Sequence, residues 1–85
     1  MCGMMDAIKS IYDPNYTAMI DRLKEIRKSQ KVTQVALAGR LGWNHRDISK
    51  VEGFVRRLDL IELCYWLDAL EYDLGDFFRD IGRLK

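Results

Sequence analysis

The sequence predicts an all-α fold, a compact bundle of about five short helices, from three features. Apolar residues recur at three- and four-residue spacing, the period of a helix face, and no stretch alternates with the two-residue period of a strand. Asp13, Thr33, Asn44, Asp59 and Asp73 each stand just before such a stretch, where a short oxygen-bearing side chain accepts from a backbone N–H left open by the first helical turn. Gly42 separates two of the stretches, and a glycine there lets a helix end in the left-handed conformation and the chain turn sharply.

The first helix starts at Asp13-Pro14, since proline is tolerated in a first turn, and carries Tyr16, Ile20, Leu23 and Arg27 at helical spacing with Met19 and Ile26 beside them. Thr33 caps a second helix from Gln34 to about Leu41, on which Leu37, Ala38 and Leu41 share one face; Ala38 is small where two helices cross closely. After Gly42, Asn44 caps a third helix. Asp47 favours its positive end, and Ile48 and Val51 point inward. His45, Arg46, Ser49 and Lys50 are left outward. The fourth helix opens with Asp59 as cap, Glu62 three residues on as its capping-box partner, and Leu58 with Leu63 as a hydrophobic staple. Its core stripe is read as Leu60, Leu63, Cys64, Leu67 and Leu70. Asp73 starts a fifth helix, with Tyr72 and Phe77 as staple and Leu74, Phe77, Phe78 and Ile81 as its apolar side.

Eighty-five residues suffice for one small core, so the chain reads as a single domain over 13–82 behind an N-terminal extension, 1–12. That extension suits a tail, an arm on a ligand or a strap on a second copy equally well. No apolar run approaches membrane-spanning length, and MCGMMDAIKS lacks the apolar core of a secretory leader, so the expected location is cytoplasmic. Cys2 and Cys64 form no metal-binding or disulfide pattern and are expected as free thiols. No cofactor, metal or small-molecule ligand is expected.

The net charge is only +1, but it is unevenly spread. From Asp21 to Arg57 there are ten basic residues against four acidic; from Leu58 onward there are three against seven. A basic half carrying the second and third helices therefore adjoins an acidic half, the distribution expected of a domain that meets a polyanion with one side. The outward residues of the third helix fit that reading. Asn, His, Arg and Lys offer donors and acceptors to base edges in a major groove, and phosphates accept from nearly all of them. The plainer alternative is a solvated polar face.

From about Ile20 to Phe78, roughly two thirds of the chain, the sequence resembles the Cro and phage-repressor class of helix-turn-helix proteins, the XRE-like family. The residues that carry the resemblance are Thr33, Gln34, Leu37, Ala38, Gly42, Ile48, Ser49, Lys50, Val51 and Glu52, with RRLDLIEL from Arg56 to Leu63 similar to a common opening of the family's fourth helix. The resemblance implies a lambda-repressor-like domain with its helix-turn-helix at helices two and three. It implies that Asn44, His45, Arg46 and Lys50 face DNA bases, that Gln34, Ser49 and Thr33 face phosphates, and that Arg27 pairs with Glu52 in a structural role beside Ala38 and Gly42. Two positions depart from the family pattern: Phe54 stands where glycine is usual, and Trp43 replaces a smaller apolar residue.

The function so implied is a sequence-specific regulator of transcription, a repressor binding double-stranded DNA at a palindromic operator as a homodimer, since one short helix reads only a few base pairs. Tyr65, Trp66, Phe77 and Phe78 in the acidic half are candidates for the dimer surface, or for the core. The alternative is a protein-interaction module of the same fold, an antitoxin-like partner or a complex subunit, with DNA binding secondary. An enzyme is not expected: there is one histidine, no glycine-rich phosphate loop and no arguable catalytic set.

Overall fold

In the computed structural model, which describes residues 12–82, five helices follow one another: α1 (Pro14–Ser29), α2 (Gln34–Leu41), α3 (His45–Glu52), α4 (Leu60–Ala69) and α5 (Leu74–Ile81). The described residues contain no strand. The expected extension lies outside them except for Tyr12, and Cys2 lies outside them as well.

Each helix begins at the cap its sequence offers. Asp13 accepts from the Asn15 N–H at 2.8 Å, Thr33 Oγ1 from Ala36 at 3.0 Å, Asn44 Oδ1 from Arg46 at 2.9 Å and Asp73 Oδ2 from Asp76 at 2.9 Å. Asp59 and Glu62 make the reciprocal capping box, Asp59 Oδ1 accepting from the Glu62 N–H at 2.8 Å and Glu62 Oε1 from the Asp59 N–H at 3.2 Å. Each such cap is worth roughly 1 kcal/mol, enough to define where these short helices start.

The ends repeat one geometry. After α1, α2, α3 and α4 a left-handed residue (Lys31, Gly42, Phe54 and Glu71, with φ of 59°, 71°, 61° and 53°) lets the next N–H reach back five residues. Those bonds run from Val32 to the Arg27 carbonyl, Trp43 to Ala38, Val55 to Lys50 and Tyr72 to Leu67, at 3.1, 2.9, 2.8 and 3.0 Å. They satisfy carbonyls that a helix C-terminus would otherwise leave open. Phe54 thus keeps the left-handed turn where the family pattern has glycine, and Lys24 Nζ lies 5.5 Å from its ring centroid.

One core joins all five helices. Ile20, Leu23 and Ile26 of α1, Leu37 and Ala38 of α2, Ile48 and Val51 of α3, Leu63, Trp66 and Leu67 of α4 and Phe77 of α5 are buried together with Val32, Leu58 and Leu70 from the connections. Full burial of side chains of this size stabilises by about 1.5–3 kcal/mol each relative to exposure. The staple residues Leu58 and Leu63 are both inside, as expected.

α4 is rotated from the stripe expected for it. Leu60 is 62 % exposed and Cys64 only half-buried, while Leu63, Trp66, Leu67 and Leu70 at i, i+3, i+4 and i+7 face the core. The bulk of Trp66 decides this. Its ring fills the interior and meets Trp43 edge to face at 6.0 Å, so the stripe that includes it displaces the one led by Leu60. Trp66 and Phe77 are fully buried and belong to the core, which removes two of the four aromatics considered for a dimer surface; Tyr65 and Phe78 remain 57 % and 43 % exposed.

Long-range polar contacts then tie α1 to α5 and to the loop before α4. Arg22 on α1 donates to Asp80 on α5 at 2.9 Å and to the Tyr72 hydroxyl at 3.3 Å, and Tyr72 donates to Asp80 at 2.7 Å. The bond to Asp80 holds the Tyr72 phenol above its ordinary value, and the bonds to Tyr72, Asp80 and Glu25 raise Arg22 further still. The Tyr16 hydroxyl accepts from the Leu58 N–H at 3.0 Å, fastening the start of α1 to the loop that leads into α4.

Candidate nucleic-acid interface

α2 and α3 are joined by Gly42, Trp43 and Asn44 and pack against each other. Leu37 and Ala38 on one helix and Ile48 and Val51 on the other form the buried side of the crossing. Amphipathic geometry then dictates what remains: Arg46, Ser49 and Lys50, at i, i+3 and i+4, lie on the exposed side of α3. The side chains of Arg46 and Lys50 have no hydrogen-bond or ion-pair partner among the described residues.

Arg27 and Glu52 are buried beneath this unit. The guanidinium grips the carboxylate with two parallel bonds, Nε to Oε2 at 2.8 Å and Nη2 to Oε1 at 2.9 Å, and its Nη1 donates to the Val32 carbonyl at 2.8 Å. The expected structural pair is therefore present, and it locks the end of α3 to α1. Desolvated charges are tolerated here because the fork geometry leaves neither group without partners.

Gln34 is bound on both sides of its amide. Its Nε2 donates to Glu52 Oε1 at 2.9 Å, and its Oε1 lies 3.2 Å from His45 Nε2. A hydrogen-bonded row thus runs from Arg27 through Glu52 and Gln34 to His45, the first residue of α3. Thr33 and Asn44 spend an oxygen each on helix caps, so the free polar atom of Asn44 is its amide nitrogen. Ser49 is exposed and, with Lys24, Lys28, Gln34 and Gly53, lines a shallow concavity floored by the Arg27–Glu52 pair. Of the residues expected to face phosphate, Gln34 and Ser49 meet in this concavity and Thr33 does not line it.

Several basic residues are neutralised within the fold. Arg22 pairs with Glu25 and Asp80, Lys24 with Asp21, Arg27 with Glu52 and Arg56 with Glu62. Arg56 also lies over the Trp43 ring, 5.2 Å from its centroid, so the large residue at position 43 serves as a platform that holds the loop after α3. Arg40 and Gln30 donate to the Ala69 and Leu70 carbonyls at the end of α4, at 2.9 and 2.7 Å. Apart from the i, i+3 pairs Arg22–Glu25 and Lys24–Asp21 and the expected pair Arg27–Glu52, these roles were not legible in the sequence, because each joins residues 6 to 58 positions apart or a side chain to a backbone carbonyl.

Among the described residues no cluster of His, Cys, Asp and Glu is placed to hold a metal ion, and no helix is long and apolar enough to cross a membrane. The sequence matches no protein-family model and no curated protein.

Proposed function

We propose that the protein is a sequence-specific double-stranded DNA-binding regulator of transcription, acting as a repressor and as a homodimer in the cytoplasm. The observation that carries this reading is the outward face of α3. Arg46, Ser49 and Lys50 stand together there without partners among the described residues, on a helix whose opposite side is anchored by Ile48, Val51 and the buried Glu52. Side chains pre-positioned on a rigid helix and left unpaired suit reading base edges in a major groove. Lys28, Gln34 and Ser49 around the adjoining concavity supply phosphate-facing donors. In this reading α2, the turn at Gly42 and α3 are a helix-turn-helix, as in the Cro-like family, and Asn44 and His45 lie at the leading edge of the recognition helix.

Exposed apolar side chains support the homodimer in this reading. Leu60, Ile61 and Tyr65 are exposed large side chains on this helix, and Phe78 is exposed on α5. A second copy seated there would double the number of base pairs read. These exposed side chains also favour the alternative, a protein-interaction module with secondary DNA binding.

The test is selection of bound sequences from a random DNA pool, followed by titration of the winner at two salt concentrations. An enriched palindrome with half-sites about one helical turn apart is expected. Arg46→Ala is expected to lose about 1–3 kcal/mol at one base position, and Lys28→Ala, which removes a donor beside the concavity, to weaken all sequences alike. Absence of enrichment, or equal losses from Arg46→Ala on cognate and random DNA, refutes the base-reading role and favours the protein-interaction reading.

A further inference from the structure

We infer that the buried Arg27–Glu52 pair fixes the tautomer of His45, so that neutral His45 presents Nδ1 as a hydrogen-bond acceptor to a base-edge donor, adenine N6 or cytosine N4. The base-reading half rests on the proposed function; the tautomer does not.

The chain of assignments starts where no choice exists. An arginine side chain is always a cation and only donates, so Glu52, held by two of its nitrogens, is an ionised carboxylate that only accepts. The Gln34 atom 2.9 Å from Glu52 Oε1 must then be the amide nitrogen, since an oxygen there would face an oxygen. That orientation turns Gln34 Oε1 toward His45, 3.2 Å from Nε2. An amide oxygen cannot donate, so Nε2 carries the proton. In a neutral imidazole the other nitrogen is then a bare acceptor. Each step is a donor–acceptor requirement, and the first is buried where water cannot substitute for the partner.

The consequence for recognition is selective. In the major groove adenine and cytosine offer exocyclic N–H donors, whereas guanine and thymine offer acceptors at the corresponding places. An unconstrained histidine presents either character at modest cost. Held by Gln34, His45 is exposed on the recognition-helix surface with one edge already spent. Gln34 is accordingly a positioning residue: it sets what His45 offers.

The first measurement is nitrogen NMR of the His45 ring, the chain's only histidine, at about pH 8, above the ordinary imidazole value of about 6.5. The expected spectrum has Nε2 as the protonated nitrogen with a slowly exchanging proton, and Nδ1 as the bare one. Gln34→Ala is expected to speed that exchange and admit the other tautomer while circular dichroism confirms a helical fold. A dominant Nδ1–H form in the wild type, or an unchanged spectrum in Gln34→Ala, overturns the inference whatever the protein does with DNA. The second measurement is sequence selection with wild type and His45→Ala at the same pH. Adenine or cytosine is expected at one position of each half-site, with that preference falling on the order of tenfold in His45→Ala. Selection of guanine or thymine at that position overturns the acceptor role. A fixed tautomer with no DNA binding by the wild type instead refutes the proposed function and the base-reading half along with it.

Discussion

Four helices end in the same left-handed turn, but only one has a glycine there, so the cost of a Cβ in that conformation can be measured within one molecule. Lys31 and Glu71 are exposed, hold φ near +59° and +53°, and have no side-chain partner among the described residues. A non-glycine residue in this region is strained by roughly 1–2 kcal/mol, and glycine gives back about 0.5–1 kcal/mol through the greater freedom of the unfolded chain. Lys31→Gly and Glu71→Gly are therefore each expected to stabilise by about 0.5–1 kcal/mol. The sites lie after different helices, so the double variant should gain about 1–2 kcal/mol, raising Tm by roughly 5–12 °C for a domain of this size. Phe54→Gly behaves differently. It relieves the same strain but discards a half-buried ring packed against the core and under Lys24, a loss of about 1–2 kcal/mol, and is expected to be neutral or destabilising. Gly42→Ala meets no atom within 4 Å, so any loss there is purely conformational, about 0.5–1 kcal/mol by the same difference. Urea denaturation followed by circular dichroism measures all four. Stability lost in both Lys31→Gly and Glu71→Gly, or a neutral Gly42→Ala, would refute the reasoning.

Three other outcomes are expected. Arg27→Met leaves Glu52 buried without its cation and should cost about 3–5 kcal/mol, while the double variant Arg27→Met/Glu52→Leu should be more stable than Arg27→Met; a double-mutant cycle with no coupling would contradict the buried pair. The raised Tyr72 phenol contributes stability that is complete below the unfolded value of about 10 and is lost as pH rises through the higher folded value, so alkaline unfolding should be shallower in Tyr72→Phe. Leu60→Glu on the exposed α4 surface should leave stability within about 0.5 kcal/mol, whereas Trp66→Ala should cost about 3–5 kcal/mol; comparable losses would mean that α4 faces the core differently.

What could be read before folding was local chemistry. The five caps, the turn at Gly42 and the staple of Leu58 with Leu63 depend on residues within a few positions of each other, and each stands where its spacing placed it. Spacing alone puts Leu60 and Cys64 in the α4 stripe, and the structure leaves them out of the core. Two overlapping apolar faces share Leu63, Leu67 and Leu70, and only the space available for the Trp66 ring chooses between them. The candidate interface divides the same way: exposure of Arg46, Ser49 and Lys50 follows from helical period, whereas the engagement of Gln34 on both sides does not.

By itself the sequence determined the helices, their starts and the outward set on α3, because backbone hydrogen bonding and helical periodicity act over three to five residues. Tertiary structure alone decided that Arg22 and Arg56 are spent on Asp80 and Glu62, which aromatics enter the core, that Phe54 holds a left-handed turn, and which edge of His45 is left open. These outcomes depend on volume and on donor–acceptor matching between residues far apart in sequence, and no local pattern encodes them.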